Sequence, residues 1–264
     1  MEISLDALVI GETKLNDNKK YITLLSPERG KLSALVHGAS SAKSRSLSAV
    51  KPLSYSSFVL TQKGSGASGV SGAYTLREAS LKRTFFEVSE RPEALALASY
   101  IISVAGYVAT EGEEQSELFS LTLNSLHKLC SPEVPLSIVK AAFELRTAAL
   151  IGFAPALVAC SVCHDELRDD DASFCIYDGT LRCAACEKRS HELPEYEVVM
   201  KLSPAVLAAM RYVIYCDAKK LFSFSLADKK DMQKLNEVCE KYLSAHIEAT
   251  FPALKIYKEL TAKI

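Results

Sequence analysis

Along the first eighty residues, apolar and polar positions alternate in short runs separated by turn residues. Leu5-Asp6-Ala7-Leu8-Val9-Ile10 opens a strand, and Asn16-Asp17-Asn18 tolerates the left-handed backbone of a turn. Tyr21–Leu25 follows, then a Pro27-Glu28-Arg29-Gly30 turn and Lys31–Val36. After a Ser-rich connection dotted with Lys and Arg come Tyr55–Thr61 and, behind a Gly/Ser stretch, Val70–Leu76. Five short strands so punctuated predict a small closed sheet, an OB-type β-barrel foremost. A small sandwich or an SH3-like barrel fits the pattern nearly as well.

Near residue 85 the period lengthens. Ala94–Val108, Glu117–Leu129 and Ser137–Ile151 carry apolar residues three and four apart, as amphipathic helices do, and Gly152 stands where a C-terminal cap belongs. Phe174–Leu181 reads as a hairpin turned at Asp178-Gly179. Ser203-Pro204 caps a helix over Ala205–Cys216, and Lys229–Thr250 supplies the last long helix. The expected class is α+β: a barrel over 1–82, a helical body over 83–158, an inserted cysteine ribbon over 159–190, and helices over 191–264 that complete the body.

The overall charge of −1 conceals a division. Residues 1–84 carry twelve Lys/Arg against six Asp/Glu, residues 85–199 eight against nineteen, and residues 200–264 eleven against seven. A basic front on an acidic middle suggests a polyanionic partner for the front. No run of eighteen apolar residues announces a membrane helix, and Met1–Asp6 lacks the basic start and apolar run of a signal peptide.

Two cysteine pairs, Cys160/Cys163 and Cys183/Cys186, are separated by nineteen residues. Each Cys-x-x-Cys turns two sulfurs to one side, and two such knuckles at this spacing form the zinc pattern. Four sulfur ligands would close a tetrahedral Zn²⁺ and leave no position for substrate, so the expected metal is structural. Two disulfides or four unrelated buried thiols are the alternatives, but disulfides require an oxidising compartment. Cys130, Cys175, Cys216 and Cys239 are scattered singly, like reduced thiols. His164 and His191 flank the knuckles as lesser ligand candidates.

Other motifs fail on context. Gly64-Ser65-Gly66-Ala67-Ser68-Gly69 has the letters of a dinucleotide fingerprint, yet the chain continues as strand where a helix must hold the pyrophosphate. His246-Ile247-Glu248 follows both cysteine pairs instead of preceding them as in zinc deaminases. Asp169-Asp170-Asp171 reads as a solvated loop. No catalytic constellation emerges, and the expectation is a protein that is not an enzyme.

Lys19, Lys20, Arg29, Lys31, Lys43, Arg45, Lys51 and Lys63 fall on turns and strand edges of the predicted barrel, among Tyr21, Tyr55 and Phe58. Small barrels bind nucleic acid with cations that follow phosphates and aromatics that stack bases. The first seven are the candidate DNA contacts. Phe58 is expected in the core, and alternation groups Tyr21 with Thr23 and Leu25, so it too can face inward.

Phe143-Glu144-Leu145 through Leu150, Gly152, Pro155 and Leu157 into Cys160-x-x-Cys163 resembles the Phe-Glu-Leu helix, Gly-x-x-Pro turn and first knuckle of the bacterial recombination-mediator family RecO. Phe174, Gly179 and Cys183-x-x-Cys186 resemble its second knuckle. Val36–Leu53, with Gly38-Ala39, Lys43-Ser44-Arg45 and Pro52, is similar to its cationic barrel segment. The resemblance implies a bacterial, cytoplasmic, nucleoid-associated and non-enzymatic task. That task is binding single- and double-stranded DNA, annealing complementary strands, and working with RecR to load RecA on strands coated by single-strand-binding protein. It also implies docking of the acidic tail of single-strand-binding protein on the helical body, for which Lys140 or Arg146 are the local cations. His37 and Ser40-Ser41 stand where the family pattern has lysine and arginines, which removes charge from the proposed DNA face. The competing reading is an interaction adapter whose ribbon and acidic helices dock a protein while the barrel ignores DNA.

Overall fold

The computed structural model describes residues 2–16, 18–37, 44–62, 74–167, 172–188 and 196–262, with side chains 44–46 excepted. By their contacts these form two compact units, Met1–Ser131 with Phe251–Ile264, and Pro132–Thr250.

In the first unit, β1 (Glu2–Asn16), β2 (Lys19–Ser26), β3 (Gly30–His37), β4 (Ser54–Gln62) and β5 (Tyr74–Thr84) form a barrel in the order β1-β2-β3-β5-β4, and β4 closes it against β1. This is the OB-type sheet predicted from the alternation. All pairings are antiparallel except β3–β5, a short parallel seam through Ala34↔Tyr74 and Leu35↔Thr75. The long β1 serves two partners, β4 through Leu8 and β2 beyond it, with register shifts at Val9/Gly11 and Lys14/Asn16. Such bulges bend a strand, and a small barrel needs that curvature. Alternate residues fill the interior: Ile3, Leu5 and Ala7 from β1, Ile22 and Leu24 from β2, Leu32 and Val36 from β3, Phe58 and Leu60 from β4. Burying each large side chain contributes about 1.5–3 kcal/mol.

The short helix α1 (Ser44–Ala49) lies within the Ser-rich connection, and β5 runs on to Thr84, eight residues past the predicted end. A 3-10 turn at Phe86–Glu90 leads into α2 (Pro92–Val108) and α3 (Ser116–Leu129). The turn before β3 docks on the α2–α3 connection through main-chain bonds. Lys31 N donates to Thr110 O (3.1 Å), Gly112 N to Arg29 O (3.0 Å) and Gln115 N to Pro27 O (2.7 Å).

In the second unit, α4 (Leu136–Leu150) packs against α6 (Pro204–Tyr215) and α7 (Lys229–His246). After α4, Gly152 (φ +97°) places its N–H on Ala149 O (3.2 Å) and Phe153 N–H on Ala148 O (2.9 Å), the paired bonds of a Schellman cap. Ser203 caps α6, its hydroxyl accepting from Val206 N, with Pro204 in the first helical position. Between α4 and α6 lies a four-stranded sheet ordered β6 (Ala156–Cys160), β8 (Thr180–Cys183), β7 (Ala172–Cys175), β9 (Val199–Leu202), with the short α5 (Ala184–Lys188) after β8. The predicted hairpin is its β7–β8 centre.

One helix, α8 (Pro252–Thr261), belongs to the first unit and packs on α2, with Phe251 edge-on to Tyr100 (5.6 Å) and Tyr107 (6.0 Å). The continuous helix predicted to Thr250 ends at His246, and Pro252 starts α8. No helix among the described residues is long and apolar enough to cross a membrane. Gly64–Gly69, Lys63, Asp169–Asp171 and His191 lie outside the described residues.

Candidate functional site

The ribbon sheet brings the four paired cysteines together. Cys160 ends β6, Cys183 ends β8, Cys163 follows in a turn and Cys186 sits on α5. All four sulfurs lie within 4.8 Å of one another, and Cys163 Sγ is 3.9 Å from Cys183 Sγ. A tetrahedral ion with sulfurs at about 2.3 Å requires sulfur–sulfur edges of about 3.8 Å. The cluster therefore has the dimensions to hold a metal ion. The first knuckle is tight: His164 N donates to Cys160 O (3.0 Å), and His164 takes a left-handed φ of +63°. His164 itself is exposed and outside the group.

Main-chain amides point at the sulfurs. Cys183 N–H donates to Cys160 Sγ (3.4 Å) and Cys186 N–H to Cys183 Sγ (3.3 Å). Burial opposes charge on Cys160, but the amides of Cys163, Cys183 and Val162 outweigh it and bring this thiol down to about 6. At Cys163, the Asp165 amide favours the thiolate, yet burial and bonds to the Asp165, Cys160 and Cys186 side chains prevail and push it up to about 12. Cys186 is raised first by Cys183 and then by burial. The cluster accommodates one thiolate easily, and a second beside it is repelled unless a cation sits between them. The remaining cysteines, Cys130, Cys175, Cys216 and Cys239, are free thiols outside the group.

The barrel sorts its cations into two ends. Lys19 and Lys20 begin β2, opposite Asn16 and Lys14 of β1, whereas Arg29 and Lys31 lie at the far end of the same hairpin. Six residues of strand at ~3.3 Å each put about 20 Å between Lys19 and the register level of Lys31. At that far end, Lys31 Nζ donates to Gly106 O (3.0 Å), and the turn rests on the connection that carries Glu111, Glu113 and Glu114. At the near end Lys19 and Lys51 are exposed. Lys20 is half-buried there, paired with Glu12 Oε2 at 2.6 Å and donating to Val50 O at 3.0 Å. Lys14, absent from the sequence candidates, is exposed at the same mouth. Lys43 and the side chain of Arg45 lie outside the described residues.

Phe58 is in the core, as expected. Tyr21 is not: the inward set on β2 is Ile22 and Leu24, and Tyr21 is half-exposed on the outer face opposite Leu35. Tyr55 packs edge-on against Phe119 of α3 (5.9 Å), beneath Lys82 Nζ (5.3 Å). In the second unit, Lys140 is fully enclosed, held by Glu144 (2.9 Å) and Glu240 (3.0 Å). Arg146 donates to Cys216 O (2.9 Å). Both proposed cations for an acidic tail are thus committed internally.

The family model for the recombination protein O N terminal matches residues 1–81, the barrel, and that for the recombination protein O C terminal matches residues 89–255. The chain belongs to the RecO family. Among its relatives are proteins named DNA repair protein RecO, including that of Acetivibrio thermocellus, 29% identical over 96% of this chain and 95% of the relative. That of Alkaliphilus metalliredigens is 26% identical over 98% and 100%, and that of Desulforamulus reducens 28% over 96% and 94%. The RecO match runs through barrel, helices and ribbon alike, so the family assignment does not rest on the widespread cysteine knuckles alone. Lys14 was missed because its weight comes from the β1 bulge, which sets it opposite Lys20. The local sequence records no such pairing.

Proposed function

We propose that this RecO protein is a non-enzymatic recombination mediator of the bacterial cytoplasm and nucleoid. It binds single- and double-stranded DNA through the barrel, anneals complementary strands, and helps load RecA on DNA coated by single-strand-binding protein, with RecR as its partner. The observation that carries this reading is the RecO family match across both halves of the chain, with a basic barrel as its first element. Of the candidate contacts, Lys19, Lys51 and Lys20 share one mouth with Lys14. Phosphate contacts of this kind neutralise charge and release counterions, so binding falls steeply with salt. Arg29 and Lys31, set against an acidic connection, are the weaker contacts.

Zn²⁺ is the metal that suits Cys160, Cys163, Cys183 and Cys186, since four thiolates select a soft tetrahedral ion. It would supply no reactive position, and its role is to hold β6, β8 and α5 together. The decisive experiment measures annealing of complementary oligonucleotides at low salt, with and without single-strand-binding protein. Acceleration that declines with salt is expected, and none at all would overturn the reading. The adapter alternative draws on one observation, the exposed edge-on pair Tyr177 and Tyr196 beside the ribbon (5.9 Å). Unchanged DNA affinity in Lys19→Ala, Lys51→Ala protein would favour it.

A further inference from the structure

At the cationic mouth the barrel and α2 enclose an open cleft of about 600 Å³. Its size lies within the ~300–1,000 Å³ of small-ligand sites. Its floor and one wall are apolar: Leu53 and Ile102 are buried there, while Phe86 and Leu95 remain 39% and 37% exposed. Its rim carries Lys14 and Lys51, which meet no carboxylate among the described residues, and the Lys20–Glu12 pair, whose charges cancel. The net electrostatic character at the opening is therefore positive over an apolar interior. The hydroxyls of Ser89 and Ser99, the other polar groups of the wall, donate to Phe86 O (2.6 Å) and Leu95 O (2.8 Å) within their own turns.

We infer that this cleft accepts an unpaired nucleobase, resting on Phe86 and Leu95, while Lys14 and Lys51 hold the flanking phosphates. The inference rests on the DNA-binding reading and adds to it a means of telling single from double strands. A paired base is already stacked and cannot enter, so duplex DNA gains only the phosphate contacts. An unpaired strand gains those and the apolar burial of a base. The wall hydroxyls give their protons to main-chain carbonyls and keep only acceptor capacity, so no side-chain donor on the apolar wall reads a base edge and the preference is chiefly for strandedness. The same rim and floor would suit an acidic apolar peptide. The nucleotide is favoured by continuity with Lys19, exposed beside Lys20 at the same mouth, which with Lys14 and Lys51 makes a run of cations suited to successive phosphates.

The test compares three probes on the full-length, metal-loaded protein: oligo-dT, an abasic oligomer of equal length, and a duplex. Wild-type protein is expected to bind oligo-dT more tightly than the abasic strand. Phe86→Ala and Leu95→Ala should each weaken oligo-dT about fivefold or more, the lower end of a stacked base's contribution, and leave the other two probes unchanged. Lys14→Ala and Lys51→Ala should weaken all three, each reducing the logarithmic salt slope for single strands by about 0.7. Both apolar positions are partly exposed and lie on different elements, and circular dichroism confirms folding of each variant. Equal affinity of wild-type protein for oligo-dT and abasic DNA overturns the inference and leaves DNA binding intact. Loss of a short Asp- and Leu-rich peptide, with oligo-dT unaffected, also overturns it and assigns the cleft to a peptide. Failure of wild-type protein to bind any of the three nucleic acids overturns the DNA reading itself.

Discussion

Gly179→Ala tests how the ribbon hairpin is locked to the helices of its own unit. Gly179 has φ +64°, and an added Cβ would lie 2.5 Å from the Tyr242 hydroxyl and 3.3 Å from its Cζ. Tyr242 cannot swing away. It is 2% exposed, its ring lies against Phe174 (5.3 Å) and His246 (4.5 Å), and its hydroxyl donates to Phe153 O (3.1 Å). Left-handed backbone costs alanine about 1–2 kcal/mol more than glycine. Displacing the tyrosine forfeits a hydrogen bond worth about 1 kcal/mol, with loss of packing besides. The total is about 2–4 kcal/mol. In a Tyr242→Phe background the oxygen is gone and only the milder approach to the ring at 3.3 Å is left, so the cost should fall toward the backbone penalty of about 1–2 kcal/mol. Protection of α7 amides in native-state hydrogen exchange, at constant metal content, reads both backgrounds. If Gly179→Ala costs the same in each, within about 0.3 kcal/mol, the steric argument is wrong.

Lys140→Ala takes a charge partner from Glu144, which is fully buried, and from Glu240, and should cost roughly 3–5 kcal/mol in chemical denaturation, while Lys140→Met with Glu144→Leu restores most of it. Cys183→Ser should abolish stoichiometric zinc and loosen the ribbon, and unchanged zinc per chain would refute the ligand set. Asp6 is held below the usual carboxylate range first by Lys82 (2.5 Å) and then by Ser57. Its contribution is therefore present above the unfolded carboxylate pKa and lost as pH falls through the lower folded value. Because the pair is over a third exposed, the effect is small, and Asp6→Asn should flatten stability slightly between neutral and acid pH.

The sequence revealed what depends on neighbours along the chain. Alternation in β1 to β4, the Ser203-Pro204 cap, Gly152 and the two knuckles are local statements, and each stands in the structure as read. The end of β5 was obscured because its register against β4 slips twice, passing over Lys82 between Leu81 and Arg83 and over Arg77 between Leu76 and Glu78, which breaks the period of two, while Arg77, Lys82 and Arg83 keep it polar. The helix α8 was missed because Thr250-Phe251-Pro252 interrupts only briefly, and its partner α2 lies far away in sequence. The cations were visible but their standing was not: nothing near Lys20 announces Glu12, and nothing near Lys31 announces Gly106. Those fates are set by strand register and by packing. They separate charges available at the surface from charges already engaged.

The first unit is assembled from two distant pieces of chain, with residues 132–250 between them. On a ribosome, the barrel, α2 and α3 emerge long before α8, so the apolar face of α2 that receives Phe251 stays uncovered while the entire ribbon unit is made. Truncation before Phe251 should accordingly harm the amino-terminal unit, remote in sequence from the cut, and spare the neighbouring one. The late arrival of α8 makes completion of the barrel's own unit wait on synthesis of the whole unit inserted within it.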